Sequence, residues 1–97
     1  MDKEDVLLSK YKILINEMDK AKTRVSPDLV EYLELHENLV KEQMAKLEAG
    51  ILPASGGSTF CIARALSEFD TLYFMESLYN AACEVDKYYR VECNRWD

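Results

Sequence analysis

The run Ser55-Gly56-Gly57-Ser58-Thr59 is the first candidate for chemistry. It stands just ahead of a helical pattern, where glycines and hydroxyls can turn backbone N–H groups toward a phosphate or another anion. No strand signal precedes it and no lysine follows at the P-loop spacing, so it is not a Walker motif. The plain alternative is a connecting loop in which Ser58 or Thr59 caps the next helix.

Glu31, Glu34 and Glu37 recur every third residue, beside His36, the sole histidine. Carboxylates along one helix can hold Mg²⁺ when a facing helix supplies more oxygens. The later Glu84-x-Asp86 places its two acids on different faces, so that second half is missing. The three glutamates therefore read as a solvated acidic face, and no metal site is assigned. His36 lies on an apolar stripe and reads as a packed histidine. The three cysteines, Cys61, Cys83 and Cys93, lack Cys-x-x-Cys or His-x₃-His spacing, which argues against zinc. They read as reduced core thiols.

The chain ends in Tyr88-Tyr89-Arg90 and Arg95-Trp96. Tyr, Trp and Arg are the types enriched at interface hot spots. These five residues are the candidate partner-binding group. The competing reading has Tyr89 and Trp96 closing the bottom of a helical bundle. No residue is nominated as catalytic, no cofactor is called for, and the chain is not expected to be an enzyme.

The elements that must position these groups are helices. Pro appears twice and Gly three times in 97 residues, while Leu, Glu, Lys and Ala abound. A first helix is expected over about 4–23, with Leu7, Tyr11, Leu14, Met18, Ala21 and Val25 forming one stripe. Ser26-Pro27-Asp28 marks the next start, and a second helix is expected over about 27–49, closed by Gly50. Its main stripe is Leu29, Leu33, His36, Val40, Met44 and Leu47. A second stripe, Tyr32, Leu35 and Leu39, is rotated from it, and two stripes imply two neighbours. The short link between the helices makes them an antiparallel hairpin.

Residues 50–58 form the loop. Beyond it, eight of the ten aromatics crowd into Phe60–Trp96. An unbroken helix there would be about 55 Å long, more than a chain this size accommodates. A break is expected at Ser67-Glu68-Phe69-Asp70, which resembles a capping box, giving helices over about 59–66 and 68–94. The aromatic segment is expected to be either the central pillar of the bundle or an interface; one long helix paired with a second chain is the alternative. The expected fold is thus all-α and of one domain spanning 1–97: a hairpin plus a long aromatic C-terminal segment, with a homodimer as an open alternative.

The net charge of −6 repels phosphate backbones, so direct nucleic-acid binding is not expected. The longest uncharged stretch, Gly50 to Ala63, is too short and polar for a bilayer, no signal peptide is expected, and the cysteine usage suits the cytoplasm. Apolar surface exceeds what a minimal three-helix core buries. The expected function is a small acidic intracellular regulator or inhibitor that occupies a partner protein surface, a kind of chain associated with accessory elements and phages. The alternatives are a nucleotide-phosphate binder or metal-dependent helical hydrolase using the glycine loop and Glu31/Glu34, and a purely structural homo-oligomer.

Overall fold

A computed structural model of the chain describes residues 2–58 and 61–96. Among these residues it is all-α, with five helices: α1 (Lys3–Lys22), α2 (Pro27–Glu48), α3 (Ile62–Leu66), α4 (Asp70–Tyr73) and α5 (Glu76–Val91).

Helix α1 forms because one stripe can be wholly buried: Leu7, Tyr11, Leu14, Met18 and Ala21 all lie in the core. Glu4 and Asp5 oppose its positive end and Lys20 and Lys22 its negative end. The Thr23 hydroxyl closes it by donating to the Lys20 carbonyl (2.7 Å). Helix α1 packs against both α2 and α5. It is therefore the pillar, one of the two places expected for the aromatic C-terminal segment, the other being an interface.

Helix α2 starts with Pro27 after an extended Ser26, although the Ser26 side chain caps nothing. Its end is a Schellman motif. Ile51 N–H donates to Lys46 O (2.9 Å) and Gly50 N–H to Leu47 O (3.1 Å), with Gly50 at φ +74. Leu33, Val40 and Leu47 of the main stripe are buried against α1 and the loop.

The C-terminal segment breaks twice, so the helix expected over 68–94 is two. Ser67 closes α3, its hydroxyl donating to Arg64 O (2.7 Å), rather than opening the next helix. Phe69 is the N-terminal flank of α4, which lasts one turn. Met75 leaves helical geometry (φ −81, ψ 87) before α5 begins at Glu76. The buried positions explain this. Ile62 and Leu66 are followed by Leu72 and Leu78, six residues apart each time. No single helix keeps that spacing on one side, so the backbone resets its phase twice. Phe69, Tyr73 and Phe74 are left outside as a result. From Leu78 onward the spacing is regular: Leu78, Ala81, Ala82, Val85 and Tyr89 face the core.

Helix α3 begins at Ile62, not at 59, because Cys61 is in the left-handed region (φ 57). Thr59, in the candidate anion loop, lies outside the described residues.

Candidate functional site

The aromatic C-terminal group is largely spent inside the molecule. Tyr89 is only 5% exposed, and its hydroxyl donates to Pro53 O (2.7 Å). Trp96 Nε1–H donates to Leu52 O (2.8 Å). Ser55 N–H donates to Cys93 O (2.9 Å) and its hydroxyl to Arg90 O (3.1 Å). Together these bonds strap loop 50–58 to the end of α5. Tyr88 is half-buried, with Lys10 Nζ 5.3 Å from its ring centroid; Lys10 also pairs with Glu84 (3.1 Å). Only Arg90 and Arg95 face outward, and the Arg95 carbonyl accepts from Lys3 Nζ (3.2 Å). The structure thus does not assemble Tyr88, Tyr89, Arg90, Arg95 and Trp96 into one outward patch.

The glycine run is a tight turn. Ser58 N–H donates to Ser55 O (3.0 Å), with Gly56 and Gly57 both at positive φ, as a type I′ turn requires. Gly57 N–H donates to the Ser55 hydroxyl, so that hydroxyl is used internally on both sides. The anion at the start of α3 comes from the chain itself. Asp86 of α5 accepts Ile62 N–H at Oδ1 (3.2 Å) and Ala63 N–H at Oδ2 (2.8 Å). The Asp86 carboxylate, one of the two acids of Glu84-x-Asp86, is a cap supplied from another helix.

The acidic triad also divides. Glu31 and Glu34 are exposed, but Glu37 is 4% exposed. It lies in the seam with α1, 2.9 Å from Lys41 Nζ and 3.2 Å from Lys22 Nζ. The Lys22 contact is an ion pair without hydrogen-bond alignment. The Glu37 carboxyl, and then Lys22, hold the Asp19 carboxyl below its ordinary value. Burying an acid is costly unless cations meet it, and here two do. Glu37 is a structural residue, outside any solvated face. Among the described residues no three His, Cys, Asp or Glu side chains are grouped to hold a metal ion.

Besides scattered apolar side chains such as Ile13, Ile51 and Phe74, the fold leaves open part of the second stripe of α2. Leu35 is 58% exposed and Leu39 47%. Tyr32 is the one bonded across to α3: its hydroxyl donates to Ala65 O (2.7 Å), and its ring meets Phe69 edge-on (4.7 Å between centroids). Beside these residues runs a groove of about 190 Å³ between α2 and α3, lined by His36, Leu39, Val40, Gln43, Cys61, Ile62 and Ala65. His36 stacks at a tilt on Tyr32 (4.6 Å), and burial lowers its pKa, favouring the neutral ring. Covering one leucine fully is worth roughly 1.5–3 kcal/mol, so two half-exposed leucines on a groove are an unused source of binding energy. The sequence signal was the second stripe itself; it implied a neighbour without saying that the neighbour would leave Leu35 and Leu39 exposed.

Cys61 and Cys83 also line an open cleft on the far side of α3 with Arg64, Asp86, Lys87 and Arg90. All three cysteines are thiols, and burial pushes Cys93 up to about 11. No helix among the described residues is long and apolar enough to cross a membrane. No protein-family model matches the chain, and no curated protein or solved structure matches it.

Proposed function

We propose that this protein is a binding module, a small regulator or inhibitor that occupies a partner protein surface, and that it docks through the Leu35–Leu39 face of α2 and the groove toward α3. The observation that carries the reading is the exposure of Leu35 and Leu39 beside that groove. Large apolar side chains flanking a concave, mostly apolar surface are how helical modules accept a partner segment. The internal use of Tyr89 and Trp96 moves the expected contact from the chain's end to α2. The self-capped α3 and the self-satisfied Ser55 give little support to the phosphate-binding alternative.

The test is a purification of the tagged full chain from its native cells at physiological salt, followed by reconstitution with the purified partner. Leu35→Glu/Leu39→Glu is expected to abolish the direct contact while helix content and Tm stay unchanged, since neither side chain is in the core. Phe74→Ala, on an exposed aromatic that lines a different pocket, is expected to leave it intact. Undiminished binding by the double variant overturns this site. A stable homodimer, seen by light scattering and dissolved by the same double variant, overturns the regulator reading in favour of a structural homo-oligomer.

A further inference from the structure

The docking face of α2 has a charge pattern that selects its occupant. At about 100° per residue, Glu31 and Glu42 fall within roughly 40° of Leu35 on the helix circumference, and Asp28 within about 20°. All three are exposed. Past the end of α3, Glu68 stands next to Phe69, whose ring meets Tyr32, and it acts on the Tyr32 phenol, whose pKa is raised first by burial and then by that charge. None of these four acids makes an ion pair among the described residues. Within the face the cations are few. Lys41 is committed to Glu37, and Lys46 stands alone one turn beyond Glu42. The groove floor itself, from Val40 to Ala65, carries no charged group apart from what His36 can gain.

From Tyr32 to Gln43 the face runs about 16 Å along α2, the length of three helical turns. Its apolar positions, Tyr32, Leu35, His36 and Leu39, follow the i, i+3, i+4, i+7 spacing that a partner helix also presents. Resting on the docking reading above, we infer that the occupant is a basic amphipathic helix of another protein, with apolar anchors in the groove and Lys or Arg along both margins. A second copy of this chain is the poorer occupant, because it sets Glu31, Glu42 and Glu68 near the same acids of its twin. Anionic occupants, nucleic acid or an acidic membrane surface, meet the same repulsion.

The experiment uses the full chain and two synthetic amphipathic helices of about 18 residues, a length that covers the face with a turn to spare at each end. Both carry leucines at the same i, i+3, i+4, i+7 positions; one is flanked by lysines and the other by glutamates. Fluorescence anisotropy at physiological salt is expected to show the lysine peptide binding about tenfold tighter or more, the outcome of three exposed ion pairs. The preference is expected to shrink as salt rises. Glu31→Lys/Glu42→Lys/Glu68→Lys should invert it, and Leu35→Glu/Leu39→Glu should remove binding of the lysine peptide. Reversing Asp2, Glu4 and Asp5, acids at the start of α1 that do not line the groove, should leave it unchanged. Equal affinity for the two peptides, no binding of either, or an equal loss on reversing those acids at the start of α1 overturns the inference. If natural partner binding is lost in Leu35→Glu/Leu39→Glu yet indifferent to the Glu31/Glu42/Glu68 reversal, the docking face stands and the basic helix falls.

Discussion

Removing the Asp86 carboxylate should loosen one wall of the groove without touching its lining. Asp86 is half-buried on α5 and accepts two backbone N–H groups of α3, at 3.2 and 2.8 Å. These are donors that no carbonyl within a five-residue helix can satisfy. Loss of an N-cap costs about 0.5–2 kcal/mol, and hydrogen bonds to a charged acceptor are worth about 1.5–3 kcal/mol. With two bonds to one partly buried group, Asp86→Ala should cost about 2 kcal/mol. Helix α3 buries Ile62 and Leu66 in the common core, so the loss should register globally. The unfolding entropy of a chain this size is about 0.2 kcal/mol/K, which turns 2 kcal/mol into a fall of about 10 °C in Tm. Asp86→Asn, which can still accept one N–H but has no charge, should fall between the variant and the parent. Circular dichroism melts give the magnitude, and hydrogen exchange at the Ile62 and Ala63 amides gives the location. A Tm within about 2 °C of the parent for Asp86→Ala, in the range of an ordinary surface substitution, refutes the capping argument.

Three further outcomes follow from the packing. Tyr89→Phe and Trp96→Phe each remove one bond to loop 50–58, and each should cost about 1 kcal/mol, near 5 °C in Tm, with faster proteolytic nicking of the loop; no change in either variant would mean that the strap contributes nothing. Alkylation at pH 8 should label the exposed Cys61 first, Cys83 more slowly, and Cys93 only on unfolding, because the Cys93 thiol is buried and titrates near 11; early labelling of Cys93 in peptide mapping would contradict its burial. Acidification should destabilise the fold from about pH 6.5 downward, since burial holds His36 below its ordinary 6.5 and the unfolded chain takes up the proton first. His36→Gln should flatten that slope between pH 7 and 5 in denaturant melts, whereas the Asp19 contribution persists until the pH falls below about 3.8; an unchanged slope would place the pH dependence elsewhere.

Local periodicity and end chemistry were legible without any structure. The α1 stripe from Leu7 to Ala21 is buried as the spacing implied, and Pro27 and Gly50 mark the ends of α2 within a residue. These are properties of one helix and its two termini, set by side chains three or four residues apart, so they can be read along the chain. The break at Ser67 was also visible, because an unbroken helix would be too long for the chain and a capping pattern lies there. The second break at Met75 was not, because nothing short-range marks it; it exists because Leu72 and Leu78 must both reach a core that α1 defines.

The candidate site divides the same way. The types Glu, Asp, Tyr and Trp are groups that need polar partners, but which partner each takes was decided by distant chain. Asp86 caps a helix 23 residues away, Glu37 meets Lys22 of another helix, and Trp96 reaches back 44 residues to Leu52. Each of those groups was committed to an internal partner by long-range packing. By itself the sequence determined that the chain is helical, where its hairpin turns and which stripe of each helix is apolar. Only the tertiary structure decided which apolar stripe stays uncovered: α1 has neighbours for its whole stripe, whereas α3 is too short to cover all of the second stripe of α2, and Leu35 and Leu39 remain exposed.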